Sequence, residues 1–279
     1  MIRVHMNSGL DSSGSKNNTL RMSLAGRPGN FGSRFHNHLY EALGLDYVYK
    51  SFTTRDLPAA VGGVRALGIR GCAVSMPFKE ACIPLLDGLA PSATAIESVN
   101  TIVNDDGVLT GHNTDYAAVA PLLQKHGVAP GTPFVARGSG GMAKAVLSAL
   151  RDAGFRNGVV VARNEAAGRR LAAACGFRWQ AEVTGAPMLV NITPIGMEAG
   201  PETADLAFPA PLVEQAQVVF DVVALPAETP LIRAARAAGR TVITGAEVAV
   251  LQALEQFVLY TGVTPSEAQV AEAAAFARG

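Results

Sequence analysis

Cysteine is scarce in this sequence, and the few cysteines show no pairing pattern. Cys72, Cys82 and Cys175 make an odd number, and no two of them form a CxxC pair. Such spacing fits neither a disulfide framework nor a zinc site. The five histidines are also scattered, without an HExxH motif. We therefore expect a protein without a structural metal.

An excess of charge of one sign is also absent, since 23 Lys and Arg residues balance 23 Asp and Glu residues. Proteins that bind nucleic acid usually need a basic face, so we expect no nucleic-acid partner. No apolar run approaches the roughly 20 residues that span a bilayer. The polar first 20 residues lack the apolar segment of a secretory signal. We expect a cytoplasmic protein without a membrane partner, with residues 1–20 as a flexible leader.

What the sequence does have is a large apolar fraction, 49% of 279 residues, with 16% charged residues. This composition excludes a disordered chain, and the chain is long enough for two modest domains. Alternating segments in the first half predict strands at 20–26, 46–53 and 69–76, and helices at 31–45 and 55–67. The repeated strand–helix–strand order predicts an α/β fold with a parallel sheet.

A helical stretch at 91–97 is followed by an Asp-Gly turn, which predicts a hairpin over 101–111. From Thr132 onward, strands and helices are predicted to alternate more regularly. Further strands are predicted at 133–137, 158–162, 188–191, 218–223 and 240–243. The helices predicted with them cover 142–153, 165–175 and 229–238, and two more begin near Ala246 and at 265.

A glycine-rich turn follows the strand at 133–137 and opens the next helix. It consists of Gly138, Ser139, Gly140, Gly141, Met142 and Ala143. Glycines allow a tight turn and a close approach of the backbone to a pyrophosphate, which the free N–H groups of the helix N-terminus bind. The alternative is an ordinary glycine-rich loop between a strand and a helix.

The end of the following strand distinguishes between nicotinamide cofactors. NAD enzymes usually place Asp or Glu there to bind the ribose 2′-hydroxyl, whereas NADP requires a cation for the 2′-phosphate. This strand ends at Arg163 and Asn164, and an acid, Glu165, follows only afterwards. The pattern favours NADP, and the alternative for Arg163 is a solvated surface side chain.

Three polar segments interrupt apolar sequence in the first half: SMPFKE (75–80), ESVNTI (97–102) and GHNTD (111–115). Lys79 can act as an acid and base, and Asp115 can orient it. Asn100 and Asn113 can form hydrogen bonds with a polyhydroxylated substrate. A structural ion pair with turn-forming Asn and Asp residues explains the same pattern equally well.

These segments, together with GSGGMA, NITPIGM, the FDVV-to-TPLI region and Gln252, resemble the shikimate dehydrogenases in order and spacing, from about Ser23 to Phe276. The resemblance implies two domains in an α/β fold. A substrate domain comprises 21–115 plus 245–279, and an inserted Rossmann-type NADP-binding domain comprises 116–244. The active site is then expected in the cleft between them.

The resemblance also implies roles for individual residues. Lys79 and Asp115 correspond to the catalytic pair, while Ser75, Asn100 and Gln252 correspond to substrate-binding residues. Arg163 corresponds to the arginine that binds the 2′-phosphate. The remaining cofactor positions are the glycine-rich turn, Asn164, Asn191 and Thr193.

The sequence departs from the family in three places. Asn30 and Gly32 stand at two serines that hold the substrate carboxylate, Ala224 replaces a tyrosine, and residues 164–167 lack a second basic residue. Asn30 and Ser33 are the candidate replacement donors. Losing two hydroxyl donors leaves a desolvated carboxylate poorly paired, so we expect slow turnover of shikimate.

The expected activity is NADP-dependent interconversion of a cyclic secondary alcohol and a ketone. The expected partner is a small hydroxylated ring carboxylate: shikimate, quinate or an aminated analogue. Two rivals remain open at this point: a related dehydrogenase with another substrate, and an NADP-binding sensor or partner-binding protein with little turnover. The protein is expected to be a monomer or a homodimer.

Overall fold

The structure is a computed structural model that describes residues 19–26 and 29–279. The expected flexible leader, residues 1–20, lies outside the described residues except for Thr19 and Leu20, which already belong to a strand. Within the described residues the chain forms two six-stranded sheets covered by helices. The expected α/β class is therefore confirmed.

The first sheet has the strand order β2-β1-β3-β5-β6-β4. Its strands are β1 (Thr19–Leu24), β2 (Tyr47–Phe52), β3 (Gly71–Val74), β4 (Gly88–Leu89), β5 (Thr101–Asp105) and β6 (Val108–His112). β1 runs parallel to β2 and β3, but β5 is antiparallel to both β3 and β6. The predicted parallel arrangement is thus confirmed for β1, β2 and β3, and the predicted hairpin at Asp106 and Gly107 joins β5 to β6.

The second sheet is parallel throughout, with the order β12-β11-β10-β7-β8-β9. Its strands are β7 (Phe134–Arg137), β8 (Gly158–Val161), β9 (Arg178–Gln180), β10 (Met188–Asn191), β11 (Val218–Asp221) and β12 (Thr241–Thr244). All four residues of β8, β10 and β11 are buried, as expected for parallel strands covered on both faces.

The helices fill the connections between these strands. They are α1 (Phe31–Ala42), α2 (Leu57–Ala66), α3 (Phe78–Ala81), α4 (Pro91–Thr94), α5 (Thr114–Lys125), α6 (Gly141–Asp152), α7 (Glu165–Cys175), α8 (Ala210–Gln215), α9 (Pro230–Ala237), α10 (Gly245–Thr261) and α11 (Glu267–Arg278). The sequence expectations omit the helices α3, α5 and α8 and the short strands β4 and β9. For α5 a signal was present: Asn113 caps the helix, and four apolar residues at 118, 119, 122 and 123 form its buried face.

Two helices connect the sheets. α5 leaves β6 of the first sheet and leads to β7 of the second, and α10 returns from β12. The two helices pack against each other, and residues from both belong to the core cluster that includes Phe134. On this basis we propose the domain division expected from the sequence, 21–115 with 245–279 against 116–244.

Candidate functional site

A cleft of about 220 Å³ lies at the carboxyl ends of β1, β2 and β3, beside α10. Parallel strands end at the same edge of a sheet, so side chains that follow them in sequence converge there. The lining contains Lys79, Ser75, Asn100 and Gln252 together with Ser23, Ala25, Gly29, Phe31, Gly32, Tyr49, Ser51, Ala73, Val74, Ala249, Ala253 and Gln256. Four of the predicted substrate and catalytic residues therefore share one cavity.

Lys79 and Asp115 meet as an ion pair beside this cleft. Lys79 Nζ donates to Asp115 Oδ2 at 2.6 Å. Lys79 lies on the short helix α3, and Asp115 lies in the first turn of α5, where the N–H groups of the helix favour a negative charge. The Asp115 side chain is 5% exposed and that of Lys79 22% exposed, so the carboxylate is held inside while the ammonium reaches the cleft.

Asn100 holds the start of α5 in place. Its Oδ1 accepts hydrogen bonds from Thr114 N at 2.8 Å and Thr101 Oγ1 at 2.9 Å, and its Nδ2 donates to Thr114 Oγ1 at 3.1 Å. Asn113 has a structural role as well, since its Oδ1 accepts from Tyr116 N and its Nδ2 donates to Ser98 O. Both amides fix the backbone that carries Asp115, and Asn100 also reaches the cleft.

α10 contributes two glutamines to the cleft, of which the sequence expectation named only Gln252. Gln256 lies one helical turn further on and is buried. Its Nε2 donates to Thr101 Oγ1 at 2.9 Å. The four-residue spacing from Gln252 was the signal for this residue. Gln256, which also lines the cleft, ties α10 to β5.

The altered serine segment borders the cleft at the start of α1. Gly29, Phe31 and Gly32 line it, whereas Asn30 and Ser33 are not among its described lining residues. Ser33 instead shares a hydrogen bond of 2.7 Å with the hydroxyl of Ser51, which does line the cleft.

Two serines at the cleft, Ser23 and Ser51, were not expected from the sequence. They are register partners on the parallel strands β1 and β2. A polar residue just before the carboxyl end of each strand was the only available signal. The hydroxyl groups beside the start of α1 therefore come from the sheet.

A buried histidine supports this wall of the cleft. The ring of His36 stacks on Tyr49 with the centroids 4.5 Å apart. Burial lowers the pKa of His36 to about 3, so the ring is neutral at pH 7. Asn37 pairs with both backbone groups of Tyr49, accepting from its N–H at 2.8 Å and donating to its carbonyl at 2.9 Å. α1 is thereby locked onto β2, which fixes the position of Tyr49 in the cleft.

The glycine-rich turn combines a left-handed backbone at Gly138 with an open start of α6. Gly138 has φ +139°, and a Cβ there would lie 2.5 Å from Ile192 O. Gly140 precedes the first turn of α6 and makes no side-chain cap, and a Cβ on Gly140 or Gly141 would meet no atom within 4 Å. The first N–H groups of α6 are therefore open to an anion. The turn lies between β8 and β10, the neighbours of β7, where the strand order of the sheet reverses.

A second cleft of about 400 Å³ adjoins β8 and is lined by Arg137, Val161, Ala162, Arg163, Ala181, Glu182 and Val183. The Arg163 side chain is 74% exposed, and its Nη1 lies 3.5 Å from Glu202 Oε2. Asn164 caps α7, because its Oδ1 accepts from Ala167 N at 3.0 Å. Glu165 pairs with Arg169 at 2.7 Å. Arg163 is thus a cation at the end of β8 beside this cleft, while the Asn164 side chain caps α7.

Asn191 and Thr193 form part of a buried network after β10. Asn191 is fully buried, and its Nδ2 donates to Asp221 Oδ1 at 2.9 Å. Its Oδ1 accepts from Thr193 Oγ1 at 2.6 Å, which fixes the loop beside the glycine-rich turn. Burial raises the pKa of Asp221 to about 6. In this arrangement Asn191 positions backbone, and Thr193 is the more accessible of the two.

Two further findings concern the described part of the chain. None of its helices is long and apolar enough to cross a bilayer. Within residues 19–26 and 29–279, no group of three or more His, Cys, Asp or Glu side chains is placed to hold a metal ion.

Comparison with known proteins shows which proteins this chain is similar to. The sequence profile of the shikimate dehydrogenase substrate-binding domain matches residues 31–102, which include the start of α1, Ser75, Lys79 and Asn100. A shikimate dehydrogenase-like protein of Haemophilus influenzae is 56% identical over 265 residues, which cover 94% of this chain and 98% of that protein.

Solved structures agree with this match. Shikimate 5-dehydrogenase of Thermus thermophilus, in complex with NADP(H) and shikimate, is 32% identical with a TM-score of 0.84, covering 92% of this chain and 99% of that chain. Quinate dehydrogenase of Corynebacterium glutamicum, in complex with NAD, is 29% identical with a TM-score of 0.82, covering 92% and 97%. Because relatives above 30% identity match over nearly their whole length, the chain belongs to the shikimate dehydrogenase family.

Proposed function

We propose that this chain is an NADP-dependent oxidoreductase that interconverts a secondary alcohol and a ketone on a hydroxylated ring carboxylate. The observation that carries the proposal is the Lys79–Asp115 pair, joined at 2.6 Å, with its ammonium at the cleft of β1 to β3. A buried carboxylate that holds a partly exposed ammonium is an arrangement suited to proton transfer at a hydroxyl group.

The residues present fit the cofactor. Gly138 tolerates no side chain, Gly140 and Gly141 leave the start of α6 open, and Arg163 stands where an NAD enzyme has an acid. These residues would hold the pyrophosphate and the 2′-phosphate. When bound, the nicotinamide supplies or accepts the hydride at the carbinol carbon.

Lys79 would donate a proton to the ketone oxygen during reduction and take one from the hydroxyl during oxidation. Asp115 would keep the ammonium at the cleft and balance its charge. Gln252 and Asn100, which line the same cavity, would position the ring hydroxyl groups. Ser75 lies on the segment after β3 and would add a hydroxyl contact.

The substrate is proposed to be shikimate, quinate or an aminated analogue, with slow turnover of shikimate itself. Two features of the α1 edge support slow turnover. Gly32 brings no donor side chain to the cleft, and Ser33 turns its hydroxyl to Ser51. Asn30 stands at the other serine position without lining the described cleft. A carboxylate at this edge would rely on Ser51 and on the first N–H groups of α1.

The test compares Lys79→Met, Asp115→Asn and the double variant with the unaltered protein. We expect Lys79→Met to lower kcat by about 10²-fold or more while NADPH affinity and thermal stability stay nearly unchanged. Asp115→Asn should act on the same step, so the double variant should lose less than the product of the two single losses. Lys125→Met is the matched control, because Lys125 also pairs with a carboxylate, Glu247 at 2.7 Å, but away from the cleft.

The contrary outcomes are distinct. If Lys79→Met unfolds the protein and the folded fraction retains full activity, the ion pair is structural. If the unaltered protein binds NADPH but turns over no member of a panel of cyclohexane and cyclohexene polyol carboxylates, the proposed activity is wrong, and the NADP-binding sensor is the better explanation.

A further inference from the structure

Arg137 is a charged residue in an unusual position, at the carboxyl end of the central strand β7 and directly before Gly138. It is the register partner of Val161 on β8 and of Asn191 on β10. Its side chain is partly buried and lines the cleft of about 400 Å³ that Arg163 also lines. Two strand ends therefore direct a guanidinium to the same cavity.

Besides the two arginines, one carboxylate, that of Glu182, lines this cavity. Burial lowers the pKa of Arg137, Glu202 opposes that shift, and the positive charge of Arg163 adds to it. Glu202 Oε2 lies 3.5 Å from Arg163 Nη1, and its negative charge also acts on Arg137. Arg137 Nη1 donates to the carbonyl of Ala207, which orients the guanidinium in the fold. A planar guanidinium has five N–H donors, and binding a phosphate needs two of them.

A phosphate would neutralise the positive charges of Arg137 and Arg163 better than the Glu202 carboxylate does. It carries more negative charge than one carboxylate and accepts hydrogen bonds from two guanidinium groups at once. The cavity adjoins the end of β8, where the adenosine ribose of a dinucleotide is bound in Rossmann-type sheets. The absence of a second basic residue within 164–167 is then compensated from another strand.

We propose that Arg137 is a second 2′-phosphate-binding residue, which acts with Arg163 to set the preference for NADP over NAD, and that Glu202 is the carboxylate the phosphate displaces. The proposal rests on the proposed NADP dependence. A competing explanation is that Arg137 only anchors the loop at Ala207.

Binding of cofactor fragments tests this independently of turnover. The dissociation constants of 2′,5′-ADP and 5′-AMP are measured by calorimetry for the unaltered protein and for Arg137→Ala, Arg137→Lys and Arg163→Ala. We expect Arg137→Ala to weaken 2′,5′-ADP by about 10-fold or more and 5′-AMP by less than about 2-fold. Arg137→Lys should recover part of the loss. Glu202→Gln should tighten 2′,5′-ADP, because it removes the competing charge.

Arg240→Ala is the matched control. Arg240 is also a partly buried arginine that donates to backbone carbonyls, those of Ala238 and Ala216, but at the amino end of the sheet beside β12. It should leave the ratio of the two affinities unchanged. Thermal unfolding is measured for every variant, and if Arg137→Ala does not fold, Arg137→Gln takes its place.

Each result has a definite meaning. If Arg137→Ala weakens both fragments equally, or neither, while Arg163→Ala remains selective for 2′,5′-ADP, this proposal is overturned and Arg137 is a loop anchor. If the unaltered protein binds 2′,5′-ADP no better than 5′-AMP, the proposed NADP dependence fails together with it.

Discussion

Restoring one hydroxyl at the α1 edge of the substrate cleft should make the protein better at oxidising shikimate. Gly32 lines the cleft, and by the sequence resemblance it corresponds to the second of two serines that hold the substrate carboxylate. A Cβ at Gly32 would meet Tyr49 Oη at 3.7 Å, an ordinary contact distance. Gly32→Ser therefore fits without moving the wall of the cleft.

The size of the gain follows from one hydrogen bond to a carboxylate. Such a bond contributes about 1.5–3 kcal/mol, which corresponds to roughly 10- to 150-fold in kcat/KM. The contact lies away from the Lys79–Asp115 pair, so it should act equally on the ground and transition states and lower KM more than it raises kcat. Replacing glycine in α1 should also stabilise the helix, by about 0.5 kcal/mol.

The assay is NADP-dependent oxidation of shikimate by the unaltered protein, Gly32→Ser and Gly32→Ala. Alanine adds the same Cβ and a similar helix stabilisation without a donor, so it separates the hydroxyl from the backbone effect. Equal kcat/KM values for the serine and alanine variants would refute the reasoning about the carboxylate. An unaltered protein that already oxidises shikimate as efficiently as a biosynthetic enzyme would refute its premise.

Three further predictions concern the cofactor turn and the helix contacts. Arg163→Ala should weaken NADPH far more than NADH in a fluorescence titration, by about 1.5–3 kcal/mol, and equal losses would contradict its role. Gly138→Ala should lower NADPH affinity and cost about 1–3 kcal/mol in chemical unfolding, since the new Cβ would lie 2.5 Å from Ile192 O at φ +139°; an unchanged unfolding curve would show that the turn adapts. Burial disfavours the charged form of Glu247, but hydrogen bonds from Lys125, the Thr244 backbone and His126 outweigh it and lower the pKa of Glu247 to about 2. The contribution of ionised Glu247 to the free energy of unfolding is therefore present above pH 4.5 and is lost as the pH falls towards 2. Glu247→Gln should lower the free energy of unfolding, measured with urea, by about 1–2 kcal/mol at pH 7 and by progressively less in acid.

Much of the fold could be read from local patterns in the sequence. The alternation of apolar strands with amphipathic helices predicts the α/β class, because the side-chain periodicities of strand and helix are properties of neighbouring residues. The glycine-rich turn follows in the same way, since Gly138 occupies a backbone conformation that disfavours other residues. The helix α5 could have been predicted in the same way, from its N-cap Asn113 and its apolar face.

The direction of β5 and the position of Gln256 were harder to predict. β5 pairs antiparallel with β3, although β3 is otherwise part of a parallel arrangement. Strand direction depends on how the chain connects across the sheet, so the residues of β5 alone do not determine whether it runs parallel or antiparallel to β3. Gln256 acquires its role only because α10 packs against β5, whose residues are more than 150 positions away.

For the candidate site, too, some features could be predicted from the sequence and others depended on the tertiary structure. The residue types of Lys79, Asp115 and Arg163, within their motifs, determined which chemistry to expect. Only the tertiary structure brought Lys79 Nζ within 2.6 Å of Asp115 across 36 positions of sequence, and only it set Arg137 beside Arg163. The reason is physical: a motif fixes what a side chain can donate or accept, but the distance between two side chains is set by the packing of the elements that carry them.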